Sequence, residues 1–348
     1  MLRLSLLLLL APLSVLTLPN LYSTGQLVPQ YPVSPGIQDV LAPAAPPQPS
    51  AVQMVYQFKG IAALENLAAR SNGHLVLTVS NQPNLYELDP NAKGKLSPIL
   101  LYSFPGVSSL TGIAEYAPDM FAVVAGNWSS VTFQAVPGSF SIWSVDMKTA
   151  KPTVKMITAI PEAAALNGAT ILQGEPNIVL IADSALGAVW RLNVATGIYS
   201  MAMQYPSFTN ATTAFPSPIA INGLCVFGEM LYFLNSAQRS YGRVPINADG
   251  SSAGEVEILA RVEFGAYDDF DMDWEGNAWI ATHSDALSEV TLQGKQRNIT
   301  AQPNFKMLQP TGAIFGRGSK QEEKTLYITT GGGGKAGGQV VSVQTWLT

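Results

Sequence analysis

Residues 167–197 read NGATILQGEPNIVLIADSALGAVWRLNVATG. Asn167 and Gly168 head a short apolar run, and Gly174 to Asn177 supply a turn. IVLIADS follows, then a second turn and AVWRLN. Strand, turn, strand, turn, strand is the grammar of an antiparallel meander. The same grammar starts at Glu65-Asn66, Thr111-Gly112, Asn222-Gly223, Asp268-Asp269 and Thr311-Gly312. Successive pairs in chain order are 46, 56, 55, 46 and 43 residues apart, about one four-stranded propeller blade each. The reading is therefore an all-β chain, a six-bladed β-propeller. Radial stacking aims the first residue of each inner strand at one axis, which puts Glu65, Thr111, Asn167, Asn222, Asp268 and Thr311 around one mouth.

Outer strands precede the next polar pair as SPILLYSF, TVKMITAI, EVEILARV and RNITAQPNF. After the last pair the chain supplies strands only as far as Gln339 to Val343, while Val52 to Phe58 has outer-strand character and no blade of its own. The amino-terminal strand is thus expected to complete the last blade and remove an open edge.

Composition agrees with many short strands. Of 348 residues, 47% are hydrophobic and only 12% charged, with 30 Gly and 24 Pro as punctuation. The net charge of −5 comes with no basic block, which argues against a nucleic-acid partner. Residues 1–18 carry Arg3 and a Leu-rich run too short to span a membrane, the pattern of a secretory signal, with an amino-terminal anchor as the alternative. Residues 19–50 are Pro-rich and unpatterned and read as an extended leader, leaving 51–348 for the propeller. Sequons at Asn127, Asn210 and Asn298 fit a glycosylated, secreted protein with no span in its mature form. Cys225, the sole cysteine, lies in an apolar run and reads as a buried structural thiol.

Glu65, Asn167, Asn222 and Asp268 offer two carboxylates and two amide oxygens, hard donors suited to calcium or magnesium. The alternative is that they satisfy backbone groups around a hydrated channel. Asp269, Asp271 and Asp273 alternate onto one face of their strand, with Asp273 expected to cap the turn at Trp274 to Asn277. His74 reads as structural or exposed, and His283 as a turn residue rather than a base. The run Gly331 to Gly334 lacks Walker spacing and reads as a mouth loop. No nucleophile elbow, zinc spacing or dinucleotide fingerprint is present. Trp128, Phe133, Tyr267, Phe270 and Phe315 fall near turns or inner-strand starts, where they could hold an apolar ligand.

Three motifs resemble the senescence-marker-protein/gluconolactonase-like six-bladed propellers over residues 52–345. Glu65 stands where that family's opening E-G-P places a metal-binding Glu. Asn222-Gly223-Leu224 matches its S-N-G-L, whose Asn is a ligand. Asp268, Asp273 and Gly276 match P-D-G-M-x-x-D-x-x-G. The chain departs from the family at Asn66, Asp269 and Phe270, where Gly, Gly and Met are usual. The opening Glu65-Asn66-Leu67-Ala68-Ala69-Arg70-Ser71-Asn72-Gly73-His74-Leu75 is similar to a secreted fungal branch that includes hetero-Diels-Alderases of tropolonic sesquiterpenoid pathways.

That resemblance implies a cyclase needing no cofactor, which joins a tropolone-type quinone methide to a terpene alkene. Asn222 and Asp268 would be catalytic, and Tyr267, Phe270, Trp128, Thr111 and Thr311 would bind small apolar polyketide or terpenoid substrates. The wider family implies instead a lactonase using a cation on Glu65, Asn167, Asn222 and Asp268. A secreted binding propeller without catalysis is the third reading.

Overall fold

The computed structural model describes residues 52–129, 134–210, 219–283, 285–300 and 306–345, all within the unit Pro46–Thr348. The signal, the Pro-rich leader and Phe133 lie outside the described residues. Six four-stranded antiparallel sheets account for most of the strands. In the first blade the strands are Leu64–Ala69, Leu75–Val79, Asn84–Leu88 and Ile99–Ser103, each paired to the one before it. Blades three, four and five repeat this order from inner strands Leu166–Leu172, Ile221–Phe227 and Tyr267–Met272.

Blade two, from Ser109–Ala117, carries a small extra hairpin, Trp128–Ser129 paired with Gln134–Ala135, between its second and third strands. The sixth blade holds Pro310–Phe315, Thr325–Thr330 and Gln339–Gln344. Its outer strand is Gln53–Gln57, paired antiparallel from Gln53 opposite Ser342 to Gln57 opposite Gln339.

The core lies between blades rather than at one centre. Leu180, Val189 and Phe208 of the third blade pack on Leu224, Phe233 and Val244 of the fourth. The other inter-blade seams have the same apolar character, as between Trp279 and Leu287 of blade five and Leu326 and Val341 of blade six. Buried hydroxyls on or just after second strands tie a blade to the inner strand of the next. Thr78 Oγ1 donates to the Thr111 carbonyl at 2.7 Å, Ser184 Oγ to Ile221 at 2.6 Å and Ser236 Oγ to Tyr267 at 2.7 Å. Thr329 Oγ1 donates to the Glu65 carbonyl at 3.0 Å. Among the described residues no helix is long and apolar enough to cross a membrane.

Candidate active site at the propeller axis

The polar pairs share a backbone device. In all six inner strands the pairing register shifts at the pair: between Leu64 and Leu67, Leu110 and Ile113, Leu166 and Ala169, Ile221 and Leu224, Tyr267 and Phe270, and Pro310 and Gly312. Such bulges set extra residues against one on the partner strand and re-aim side chains. Four pairs have Gly second because the next blade leaves no room. A Cβ on Gly168 would stand 2.5 Å from the Asn222 carbonyl oxygen, and one on Gly312 would stand 3.0 Å from the Glu65 carbonyl oxygen.

Five of the six first-position residues, Glu65, Thr111, Asn167, Asp268 and Thr311, line a cavity of about 410 Å³. A cavity of this size suits a small organic ligand. Thr111 and Thr311 direct their hydroxyls to the Leu166 and Leu64 carbonyls, both at 3.1 Å, so they also tie blades together. Asn222 is buried behind this lining. Its Nδ2 donates to Asp268 Oδ1 at 2.6 Å and to Ser236 Oγ at 3.0 Å. Ile61, Trp128, Ile219 and Gly331 to Gly334 form much of the wall, with no Lys or Arg among the described lining.

His283 is the residue the sequence reading misplaced. It follows the second strand of blade five, Ala278–Thr282, and lines the cavity. Its Nε2 lies 2.5 Å from Asp268 Oδ2. Its backbone N–H donates to Ala266, as Ser80 does to Ala63, Ser184 to Ala165, Ser236 to Ala220 and Gly331 to Gln309. These are equivalent positions in five blades, and only His283 is large there. That contrast is the signal that could have found it.

Electrostatics separate the acidic groups. Burial, then the charges of Asp268 and Asp269, pushes the Glu65 carboxyl well above its usual range. Burial opposes charge on His283, but the Asp268 carboxylate, by charge and hydrogen bond, outweighs it and raises the imidazolium above its ordinary 6.5. Asp268 thus holds the imidazole in the cavity lining and favours its charged form.

The donor set also fits a cation. Asn167 Oδ1 and Asn222 Oδ1 are buried without a hydrogen-bond partner. An orphaned acceptor costs about 1–3 kcal/mol, which an oxygen-seeking cation would offset. Glu65 and Asp268 supply the neighbouring carboxylates. Among the described residues no three His, Cys, Asp or Glu side chains are grouped to hold a metal, so the amides would be needed. Each Asp268 oxygen already has one partner, Asn222 on Oδ1 and His283 on Oδ2.

Several expected residues lie elsewhere. Tyr267 is fully buried between blades, its hydroxyl donating to Gln296 Oε1 at 2.9 Å, because the bulge turns it away from the axis. Phe270 packs on Tyr241 and, with Phe315, lines a second cavity of about 390 Å³ at the opposite end. Asp269, Asp271 and Cys225 line that second cavity too. Asp273 accepts from the backbone of Glu275 and Asn277 and from Trp279 Nε1 at 3.0 Å, capping its turn. His74 pairs with Glu87 at 3.0 Å, away from both cavities. Asn298 and Asn210 are exposed, and Asn127 is half-buried.

Two curated relatives align with most of this chain. One, from Phoma sp., is named "Putative hetero-Diels-Alderase" and is 25% identical over 302 residues, covering 80% of this chain and 86% of the relative. The other, from Sarocladium schorii and named "Putative hetero-Diels-Alderase asR5", is 27% identical over 322 residues, covering 82% and 79%. No family model matches the chain. A solved luciferin-regenerating enzyme superposes with a TM-score of 0.61 at 15% identity, covering 85% of this chain and 95% of its own. A gluconolactonase from Xanthomonas campestris gives 0.57 at 13% identity, covering 90% and 99%. These structures share the six-bladed propeller fold.

Proposed function

We propose that the Glu65 cavity is the active site of a hetero-Diels-Alderase that joins a tropolone-type quinone methide to a terpene alkene. The observation that carries this reading is the His283–Asp268 pair in a cavity walled in part by Ile61, Trp128 and Ile219, with no Lys or Arg in its described lining. The two relatives named for this activity support it. In the first step a hydroxymethyl group on the ring loses water. The His283 imidazolium protonates the departing hydroxyl as its C–O bond breaks, and the ring hydroxyl returns a proton to the imidazole. Alcohol thus becomes quinone methide plus water with no redox change. Asp268 holds the imidazole and favours its charged form. Asn222, touching Asp268 rather than the cavity, is a positioning residue.

Addition then forms one C–C and one C–O bond as three π bonds become one, with no proton or electron exchanged. Holding the two reactants together is the main contribution at this stage. Trp128, Ile61 and Ile219 pack on the hydrocarbon. A protonated Glu65 donates a hydrogen bond to the carbonyl oxygen, which draws electron density from the heterodiene. The test mixes purified protein with a quinone-methide precursor and a humulene-type alkene. Adduct should exceed a buffer control in yield and stereochemical purity; a match in both would sink the reading.

A lactonase is the second reading, favoured by the orphaned oxygens of Asn167 and Asn222. Glu65, Asn167, Asn222 and Asp268 would hold calcium or magnesium, which when bound would polarise an ester carbonyl and activate water. Lactone hydrolysis abolished by EDTA, without adduct formation, would put this reading first. Passage through the secretory pathway, from the Leu-rich start and sequons, belongs to either proposal.

A further inference from the structure

Second positions in the polar pairs are Gly in four blades, forming a collar where each inner strand touches the next. The two exceptions are Asn66 in blade one and Asp269 in blade five. These blades are not neighbours, since blade six lies between them and contributes Gly312. Even so, Asn66 Nδ2 donates to Asp269 Oδ2. Each remaining oxygen is fixed locally: Leu67 N–H donates to Asn66 Oδ1 and Phe270 N–H to Asp269 Oδ1, both at 2.8 Å. Both side chains are buried, at 8% and 7% exposure, although both line the opposite cavity.

One residue earlier in the same bulges, Glu65 and Asp268 line the first cavity. Consecutive residues thus face the two ends of the axis, and the Asn66–Asp269 contact lies between them. We propose that this contact is a partition: it separates the two cavities and sets the depth of the substrate site, and so the length of the apolar partner admitted. In four blades the second position is Gly and carries no side chain, while Asn66 and Asp269, from opposite sides of Gly312, send side chains that meet. The consequence for partner length rests on the functional reading above; the partition itself does not.

Straight-chain primary alcohols from hexanol to dodecanol provide the probe, titrated calorimetrically into the full protein. Affinity should rise about fourfold per methylene while the chain is still being buried, then level off. In the natural protein and in D269N, which keeps an acceptor for Asn66, the plateau should fall at the same short chain. In the N66G/D269G variant, which extends the existing collar, it should move to a longer alcohol. Circular dichroism establishes that this variant is folded; if it is not, N66A removes the donor alone and is read in the same way. An unchanged plateau in a folded variant, or no length dependence in any protein, overturns the partition. A shifted plateau in a protein that yields no adduct leaves the partition standing and removes the functional reading.

Discussion

His283 stands out only when the repeats are laid side by side, and in the proposed reaction it is the proton donor. Its position is occupied by Ser80, Ser184, Ser236 and Gly331 in other blades, all too small to act as a proton donor at the axis. Asp268 both aims the ring and favours its charge, with burial acting against it. Replacing His283 by Ala should therefore lower the dehydration rate by about 10²–10⁴, the usual contribution of a positioned acid. The D268N variant gives a sharper result. Because the reaction needs imidazolium, the rate should fall as pH rises through the raised pKa of His283. Removing the carboxylate leaves burial to act alone, so in D268N that fall should move to lower pH. A pH–rate profile of both proteins measures the shift, and coincident profiles would remove His283 from the mechanism.

At the scale of the strand, the polar pair is a bulge with two duties. Its first residue builds the cavity and its second lets blades touch, and the two requirements explain the Thr-Gly and Asn-Gly pairs. Gly168 is the clearest case, since an added methyl would meet the Asn222 carbonyl oxygen at 2.5 Å and Gly223 Cα at 3.0 Å. Backbone on the neighbouring blade cannot rotate aside as a side chain would. The G168A variant should lose about 1–3 kcal/mol, read as a lower urea midpoint at unchanged slope. An unaltered midpoint would mean that the collar has slack. The six inner strands and five of the six first residues at the cavity were legible because alternation and spacing are written in the chain, whereas Asn222 stands behind the lining. Tyr267 was misread because a bulge reverses which neighbour faces the axis, and alternation alone carries no mark of that reversal. The Asn66–Asp269 contact was equally hidden, since 203 residues separate its partners. Only the absence of Gly at both positions hinted that they depart from the pattern together.

Across the whole molecule, the ring joins a short amino-terminal strand to the last blade, so local changes at the seams act on the stability of the propeller. Asp271 is one such seam: its Oδ2 accepts from Phe315 N–H at 2.9 Å, joining blade five to blade six. Burial raises its carboxyl from 3.8 to about 6, despite hydrogen bonds from Phe315 and Met272 that favour the ionised form. Between those values the folded chain holds a proton that the unfolded chain releases, so stability must fall as pH rises across the interval. A shift of this size corresponds to at most about 3 kcal/mol, and less here because Asp271 is only partly shielded from solvent. Asp269, raised to about 7 chiefly by burial, and Glu65, raised by burial and its acidic neighbours, act in the same direction. His283 adds to it as well, because a raised imidazolium stabilises the fold below its ordinary 6.5 and ceases to do so above its folded value. The protein should therefore be more stable near pH 4.5 than near pH 7, contrary to the behaviour of a propeller held by ion-paired carboxylates. In D271N the amide oxygen still accepts from Phe315, while the titration is gone. Melting temperatures measured from pH 4 to pH 8 should fall less steeply in D271N than in the natural protein, with the difference confined to the interval below about pH 6. Parallel curves for the two proteins would mean that Asp271 titrates at its ordinary value, and that the seam is open to water.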